Sequence, residues 1–570
     1  MSRMVVDPIT RIEGHLRIEA QVDGGKITDA WSSVTMWRGL EKILQGRDPR
    51  DAWYFTQRIC GVCTSSHALA SVRAVEEALD ITPPLNAKLI RDLMYTVQAV
   101  HDHVIHFYHL HALDWVDVVS ALKADPREAA AIGQSISGYS QNTVQRMTAV
   151  KEKLQAFVAG GNLGPFTNGY WGHPAMKLPP AVNLLAVAHY LDALDWQREY
   201  IKVHAILGGK NPHPQAYLVG GVAVPIDPNS HAALNADSFM QLRRLIQMGI
   251  DFVDQVYLPD LKAIASFYPE WTTIGGGLTN YMSAGDLSTE IRPTWEDRKN
   301  AILPSGIVMG LDLTKVYDFD PTKVAEDVTH SWYALSTDEP LNPFDGETVP
   351  KYSGPVPPFD QLDVEKKYSW LKSPRYDKAP MEVGPLARMI VGYARGNKAI
   401  KKIVDDSLAA LKVGPAALHS TLGRTLARGL ESKICADHSM ELLDALIANV
   451  AGGDLRIHSG DTWDPKTWPA EAKGAGFEEA PRGMLSHWIK IKDGVIDNYQ
   501  AVVPSTWNGS PRDRDEQRGA YELSLVGTPV AVEDQPLEIL RTIHSFDPCM
   551  ACAAHVLDAD GNEVVQVKVL

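Results

Sequence analysis

Cysteine is scarce in this sequence, with five in 570 residues. That is too few for the disulfide framework of a small secreted scaffold. No run of about 20 apolar residues occurs, so no helical membrane span is expected. Positive charge is also in deficit. Lys and Arg total 55 against 70 Asp and Glu, a formal net charge of −15. A nucleic-acid surface needs a basic footprint, so that class is excluded. The opening Met-Ser-Arg-Met-Val-Val-Asp-Pro lacks the apolar core of a secretory signal. There is no Gly/Ser linker, internal repeat or low-complexity tract to divide the chain. One large domain is therefore expected, and 45% hydrophobic residues give it material for a substantial core.

What is present is concentrated near the two ends. Cys60-Gly-Val-Cys63 is followed by His67, and Cys549-Met-Ala-Cys552 by His555. Four of the five cysteines fall in these pairs. Two sulfurs three residues apart can meet one ion within a single turn of backbone, so a four-thiolate site for a soft metal is expected. Spacing alone leaves structural zinc open. A zinc knuckle closes a short local loop, however, whereas these pairs stand near opposite ends of the chain. A redox or catalytic metal fits better. The fifth cysteine, Cys435, is expected to be a small buried hydrophobe.

The chain between the pairs is mainly helical in pattern. Alternating Leu16, Ile18, Ala20 and Val22, the turn Asp23-Gly-Gly25 and the return Lys26–Val34 predict a hairpin. Residues 64–79 have helical spacing. Cys60 and Cys63 then lie in a turn entering a helix N-terminus, where backbone N–H groups favour thiolates. A long helical pattern over 86–124 contains His101, His103, His106, His109 and His111. These could mark a second metal site, but no cysteine or tight carboxylate cluster accompanies them, and a polar helix face packed on a neighbour is the better reading. Further helices are predicted over 182–207, 232–267, 382–396 and 415–450. Residues 270–375, rich in Pro, Gly and Asp, predict irregular surface structure. Residues 484–491, a turn at 492–494 and 495–503 predict a second hairpin, and 562–570 could form a last strand. The fold class is mainly α with small β-sheets (α+β), with the N- and C-terminal segments meeting at the metal site.

Arg58-Ile-Cys-Gly-Val-Cys-Thr64 and Asp547-Pro-Cys-Met-Ala-Cys552 resemble the two cysteine signatures of nickel–iron hydrogenase large subunits. The resemblance extends through Asp7-Pro-Ile-Thr-Arg-Ile-Glu-Gly-His15, Trp37-Arg-Gly-Leu-Glu41, Asp48-Pro-Arg-Asp51, Gly208-Gly-Lys-Asn-Pro-His213, Ala480-Pro-Arg-Gly483 and Tyr499-Gln-Ala-Val-Val-Pro-Ser-Thr-Trp507. It is greatest to the respiratory, membrane-associated uptake type. It implies reversible heterolytic cleavage of H2. Cys60 and Cys549 would hold nickel, and Cys63 and Cys552 would bridge nickel to an iron carrying carbon monoxide and cyanide. Cys549, assisted by Arg482, would be the first proton acceptor and Glu13 the next. Arg482 and Ser505 would contact the cyanides. Pro481, Pro504, Asp102 and Asp547 would shape the pocket, and His67 would donate a hydrogen bond to a bridging sulfur. Glu41, His555 and the backbone carbonyl of Ala501 would bind magnesium.

The same resemblance implies partners. No cysteines remain for iron–sulfur clusters, so electrons would leave through a small subunit that carries them, then through membrane electron-transfer subunits to a quinone-linked chain. Metal-insertion proteins and a maturation protease are expected. The domain would run over residues 1–555, with Val556–Leu570 a maturation extension removed after His555. The location would be periplasmic, membrane-associated through partner subunits and reached by export with the small subunit; the lack of a signal fits a cytoplasmic protein equally. The alternatives are a nickel-free, complex I-like quinone-coupling subunit and a structural zinc protein. Four intact cysteines favour the enzyme.

Overall fold

A computed structural model describes residues 2–161, 166, 169–355, 361–460 and 463–550. Strands β1 (Ser2–Val6), β2 (Leu16–Asp23) and β3 (Lys26–Val34) form an antiparallel sheet in that order. The expected hairpin is its β2–β3 half. Leu16 pairs with Val34 and Val22 with Ile27. Gly24 and Gly25 turn the chain with positive φ, a conformation that Cβ-bearing residues disfavour. Leu16, Ile18, Ala20 and Val22 are all buried.

After the first cysteine pair come helices α1 (Ser66–Ala78) and α2 (Leu85–Ile105). Helix α2 is buried on nearly all sides. Leu89, Ile90, Leu93, Val97, Val100 and Val104 are buried, which is the pattern of a core helix. Truncating one of them, Leu93→Ala, should cost about 2–5 kcal/mol. The helical path continues past α2 as a π-helical turn, His106–His111, and a 3-10 turn, Ala112–Asp114. It stops there, short of the predicted end near residue 124, because Trp115–Val119 leave the helical path before a separate short turn at Ser120–Lys123.

The predicted middle helices are present as α3 (Pro180–Tyr200), α4 (Ala236–Phe252), α5 (Pro385–Ala394) and α7 (Thr421–Ala451). Helix α6 (Lys398–Leu411) lies between the last two. Helix α7 runs beside α2 through the centre of the main core. Cys435 on α7 is fully buried, as expected. Among the described residues, no helix is long and apolar enough to cross a membrane.

The second sheet has strands β4 (Glu471–Ala480), β5 (Gly483–Lys492) and β6 (Val495–Val502) in that order. Short helices α8 (Pro504–Gly509) and α9 (Leu537–Ser545) follow. Sheet and helix meet at backbone contact. A Cβ on Gly476 would lie 2.0 Å from Ala70 O, and one on Gly474 2.3 Å from Ala74 O. Only glycine permits this approach of β4 to α1.

The irregular segment 270–375 is a partial correction. Its described residues form short strands, short helical turns and loops, but it is not a surface layer. Tyr281, Met282, Leu303, Ile307, Trp332, Tyr368 and Ser369 are buried, and two-stranded ribbons such as Val324–Asp327 with Ser373–Tyr376 knit it into the interior. Its Pro and Gly content reflects tight turns whose apolar residues still point inward. Residues 556–570, with the expected strand and extension, lie outside the described residues, as do Cys552 and His555.

Candidate metal centre

The two ends of the chain converge on one buried pocket. Cys60, Cys63 and Cys549 are all buried, and their sulfurs lie within 4.8 Å of one another. Cys60 Sγ is 3.3 Å from Cys549 Sγ. The N–H groups of Val62 and Cys63 donate to Cys60 Sγ at 3.3 and 3.4 Å. Thiolate charge is favoured by such backbone donors at the turn before a helix. Cys549 is held from both sides. Its N–H donates to Ser505 Oγ (3.1 Å), and the next N–H, Met550, donates to Glu13 O (2.7 Å). Glu13 and Cys549 thereby form a parallel bridge, and the Cys549 thiol reaches Glu13 Oε2 at 3.3 Å.

Arg482 forms one wall. Strands β4 and β5 are joined by the two residues Pro481 and Arg482, with Ala480 paired to Gly483. Gly483, at φ 137, closes this turn. The turn aims the guanidinium inward. Nη1 donates to Asp102 Oδ2 (3.0 Å) and Nη2 to Asp547 Oδ1 (3.2 Å). Burial alone would weaken its charge, but Asp547, Cys549, Asp102 and Cys63 more than offset this, and its pKa is raised well above the ordinary value. Burial pushes the Asp547 carboxyl up, while Arg482 and Arg428 pull it down. Arg482 Nε is buried and has no partner among the described residues. Cys63, Ser66, His67, Ala480, Leu485, Val503, Pro504, Ser505 and Cys549 complete the lining.

His67 stands on α1 beside the sulfurs. Its Nδ1 lies 3.0 Å from His487 Nε2, and His487 Nδ1 lies 2.6 Å from the Tyr499 hydroxyl. Burial lowers the His67 pKa to about 4 and that of His487 well below the ordinary value, so both rings are neutral. Each then has one N–H. For His67 Nε2–H to face a sulfur, His67 Nδ1 must accept from His487. That in turn requires Tyr499 to donate to His487. The Tyr499 hydroxyl also lies within reach of Ser71 Oγ, at 2.9 Å, and free rotation of the two hydroxyls decides the direction of the chain.

Glu41 and Ala501 meet at a second pocket that also contains Ile59 and Val503. Ala501 N–H donates to Glu41 Oε1 (3.1 Å), and the Thr348 hydroxyl donates to Glu41 Oε2. Lys372 Nζ donates to Glu326 Oε2 (3.1 Å) and lies 3.9 Å from Glu41. In an extended strand the N–H and C=O of one residue face the same edge, so the Ala501 carbonyl shares the Glu41 edge of β6.

Glu479, Arg388, Glu431 and Arg428 gave no sequence signal. With His103 and Asp547 they form a buried polar ladder that ends at Arg482. Arg388 Nη1 donates to Glu479 Oε2 (2.8 Å) and its Nε to Glu431 Oε2 (2.6 Å). His103 Nε2 lies 2.9 Å from Glu431 Oε1, and Arg428 lies 3.5 Å from Asp547 Oδ2. Singly, each of these looks like a surface charge. The five histidines behave as a packed polar face. His101 meets Gln197, His103 meets Glu431, His106 meets His544 O and His109 meets Tyr190 O. His111 converges with His544 on Asp114, but Arg11 takes the other Asp114 oxygen, and the group reads as an ion-pair network.

The donor sets fit the groups that the sequence implies. Converging thiol sulfurs suit nickel and iron. The unpartnered Arg482 Nε is a donor awaiting an acceptor inside the pocket. Glu41, Glu326 and the Ala501 edge present the hard oxygen atoms that magnesium prefers.

A family model described as nickel-dependent hydrogenase matches residues 38–555, and one described as HoxL-like matches residues 3–36. The chain is 52% identical to the uptake hydrogenase large subunit of Bradyrhizobium diazoefficiens, over 100% of this chain and 97% of that protein. It is 48% identical to the hydrogenase-2 large chain of Escherichia coli K12, over 100% of both. Among solved structures it resembles the reduced Ni-Fe-Se hydrogenase of D. vulgaris Hildenborough, with a TM-score of 0.76 and 33% identity over 97% of this chain and 100% of that one.

Proposed function

This chain belongs to the nickel-dependent hydrogenase family and is a hydrogenase large subunit, and from that premise we propose that it is the catalytic subunit of a respiratory uptake enzyme that oxidises H2 to protons and electrons. The observation that carries the reading is the convergence of Cys60, Cys63 and Cys549 beside Glu13 and Arg482. Cys552, outside the described residues, supplies the fourth sulfur. When bound, nickel and an iron bearing carbon monoxide and cyanide supply the electrophilic centre that polarises H2. The protein does the rest. Cys549 Sγ takes a proton and passes it to Glu13 Oε2, within contact distance. Arg482, held by Asp102 and Asp547, keeps a fixed positive charge over the reacting space and offers Nε to a pocket ligand. Ser505 fixes the Cys549 backbone and faces the same space, and Pro481 and Pro504 set the turns that carry Arg482 and Ser505. His67 would orient a cysteine sulfur through its Nε2–H. Glu41, the Ala501 carbonyl and His555 would hold magnesium.

Electrons pass to a small subunit with iron–sulfur clusters and on to a quinone-linked membrane chain, with the complex on the periplasmic side. The relatives' designation as uptake hydrogenases supports this placement. Maturation removes Val556–Leu570, and the family match stops at His555. The deciding experiment is infrared spectroscopy and elemental analysis of the purified complex with an assay of H2 oxidation. Carbon monoxide and cyanide bands with nickel and iron are expected. Zinc alone, or no metal, would sink the reading. Cys549→Ser should abolish both turnover and the bands, since a hydroxyl is a poor soft-metal ligand.

A further inference from the structure

Alternation along β4 turns Glu479 toward Arg388 and Glu478 to the opposite face, against α1. Gly474 meets α1 at Ala74–Ala78, and Gly476 meets it at Ala70–Ala74. Two residues on, Glu478 arrives at the first turn of α1, beside the Ser66 hydroxyl. Ser66 also lines the pocket of the sulfurs. Its oxygen accepts from Gln98 Nε2 (3.4 Å), which leaves its own proton free to donate. Glu478 is 1% exposed, and its Oε2 has no hydrogen-bond partner among the described residues.

The nearby cation does not neutralise this carboxyl. Arg73 donates Nη1 to Asp286 Oδ2 (2.9 Å) and Phe477 O (2.7 Å), and Nη2 to Asp286 Oδ1 (3.1 Å). Beyond Arg73 opens a cleft of about 620 Å³ that does not include Glu478. A guanidinium keeps its proton, so Arg73 closes that way out. The Ser66 hydroxyl links Glu478 to the pocket of the sulfurs.

Resting on the function proposed above, we infer that Glu478 is a buried proton store of the metal pocket, filled and emptied through the Ser66 hydroxyl and separate from Glu13. As Ser66 Oγ receives a proton from the sulfur side, its own proton moves to the Glu478 carboxylate. The carboxyl becomes neutral, and the reverse exchange returns the proton. No electrons move. Burial pushes the Glu478 pKa up, Arg73 pulls it down, Asp286 and Glu479 raise it further, and the result is about 8. A group poised there changes state near the working pH.

The test uses the assembled, metal-loaded complex, as wild type, Glu478→Gln and Ser66→Ala. Infrared difference spectra across pH 8 should contain a protonated-carboxyl C=O band in the wild type that Glu478→Gln lacks. The wild-type kcat profile should have a limb near pH 8 that both variants lose, with metal content and cyanide bands unchanged. The same carboxyl band in Glu478→Gln, or the same pH profile in all three, overturns the store. If Glu478→Gln fails to assemble, the Ser66→Ala profile decides. A wild type that cannot oxidise H2 overturns the proposed function instead, and the carboxyl band still judges Glu478.

Discussion

Glu13 and Cys549 are 536 positions apart in sequence, yet the Cys549 thiol lies 3.3 Å from Glu13 Oε2. A bridge between their own backbones holds them there, with Met550 N–H donating to Glu13 O. The contact therefore does not depend on two long side chains finding each other.

Glu13→Gln should preserve this geometry and remove proton transfer. Gln is nearly isosteric but cannot accept a proton from sulfur at neutral pH. The expected result is full metal content with turnover reduced about 10²–10⁴-fold, the usual worth of a positioned acid–base group. Loss of metal along with activity would make Glu13 a structural residue.

Arg482→Lys should lower turnover roughly 10²-fold without unfolding the protein, a loss like that of one preorganised donor. The planar fork bridges Asp102 and Asp547 at once and still presents Nε, whereas an ammonium is a single point with different reach. Rates near wild type would deny the guanidinium any special role.

The buried ladder should make stability depend on acid. Burial raises the Glu431 pKa, but Arg388 and His103 lower it more, to about 2 against an ordinary 4.5. A lowered folded value stabilises the fold above the ordinary pKa and loses that contribution as pH falls toward the folded one. The carboxylate is worth ~3 kcal/mol on this basis. Glu431→Gln should thus unfold more easily than wild type at pH 5–6, and the gap should close as pH falls through the range from 4.5 to about 2. A gap independent of pH would assign the loss to packing.

The active chain should end at His555. Intact mass spectrometry of nickel-loaded enzyme should find Val556–Leu570 missing, and a loaded, active chain ending at Leu570 would refute cleavage. The physical logic is that closing the C-terminal segment over the metals couples their binding to the last folding step.

Local signals made much of this legible. The β2–β3 and β5–β6 hairpins follow from alternation and Gly turns that span a few residues. Helix α2 follows from apolar spacing. Strand β4 was hidden. Glu471-Ala-Lys-Gly-Ala-Gly-Phe-Glu-Glu-Ala480 has two glycines and four charges, because its neighbour on one face is helix backbone and on the other a buried arginine. Among site residues, motif context picked out Glu13, Arg482 and Ser505. Arg388, Glu431 and Arg428 escaped, since a charge on a helix gives no sign of its partner until the fold places one. The interior position of 270–375 escaped for a related reason: short strands carry too little periodicity to register.

The seam at Gly474 and Gly476 has a consequence for motion. Helix α1 carries Ser66 and His67, strand β4 leads into Arg482, and the two touch through main-chain atoms. Side chains change rotamer on picosecond to nanosecond timescales, but main-chain contacts of packed elements do not. The span between the cysteine-bearing turn and the guanidinium is thus insulated from fast side-chain fluctuation. A methyl group at position 476 would have to push helix and strand apart, so Gly476→Ala should blur the cyanide bands of the loaded enzyme even where the metals are retained.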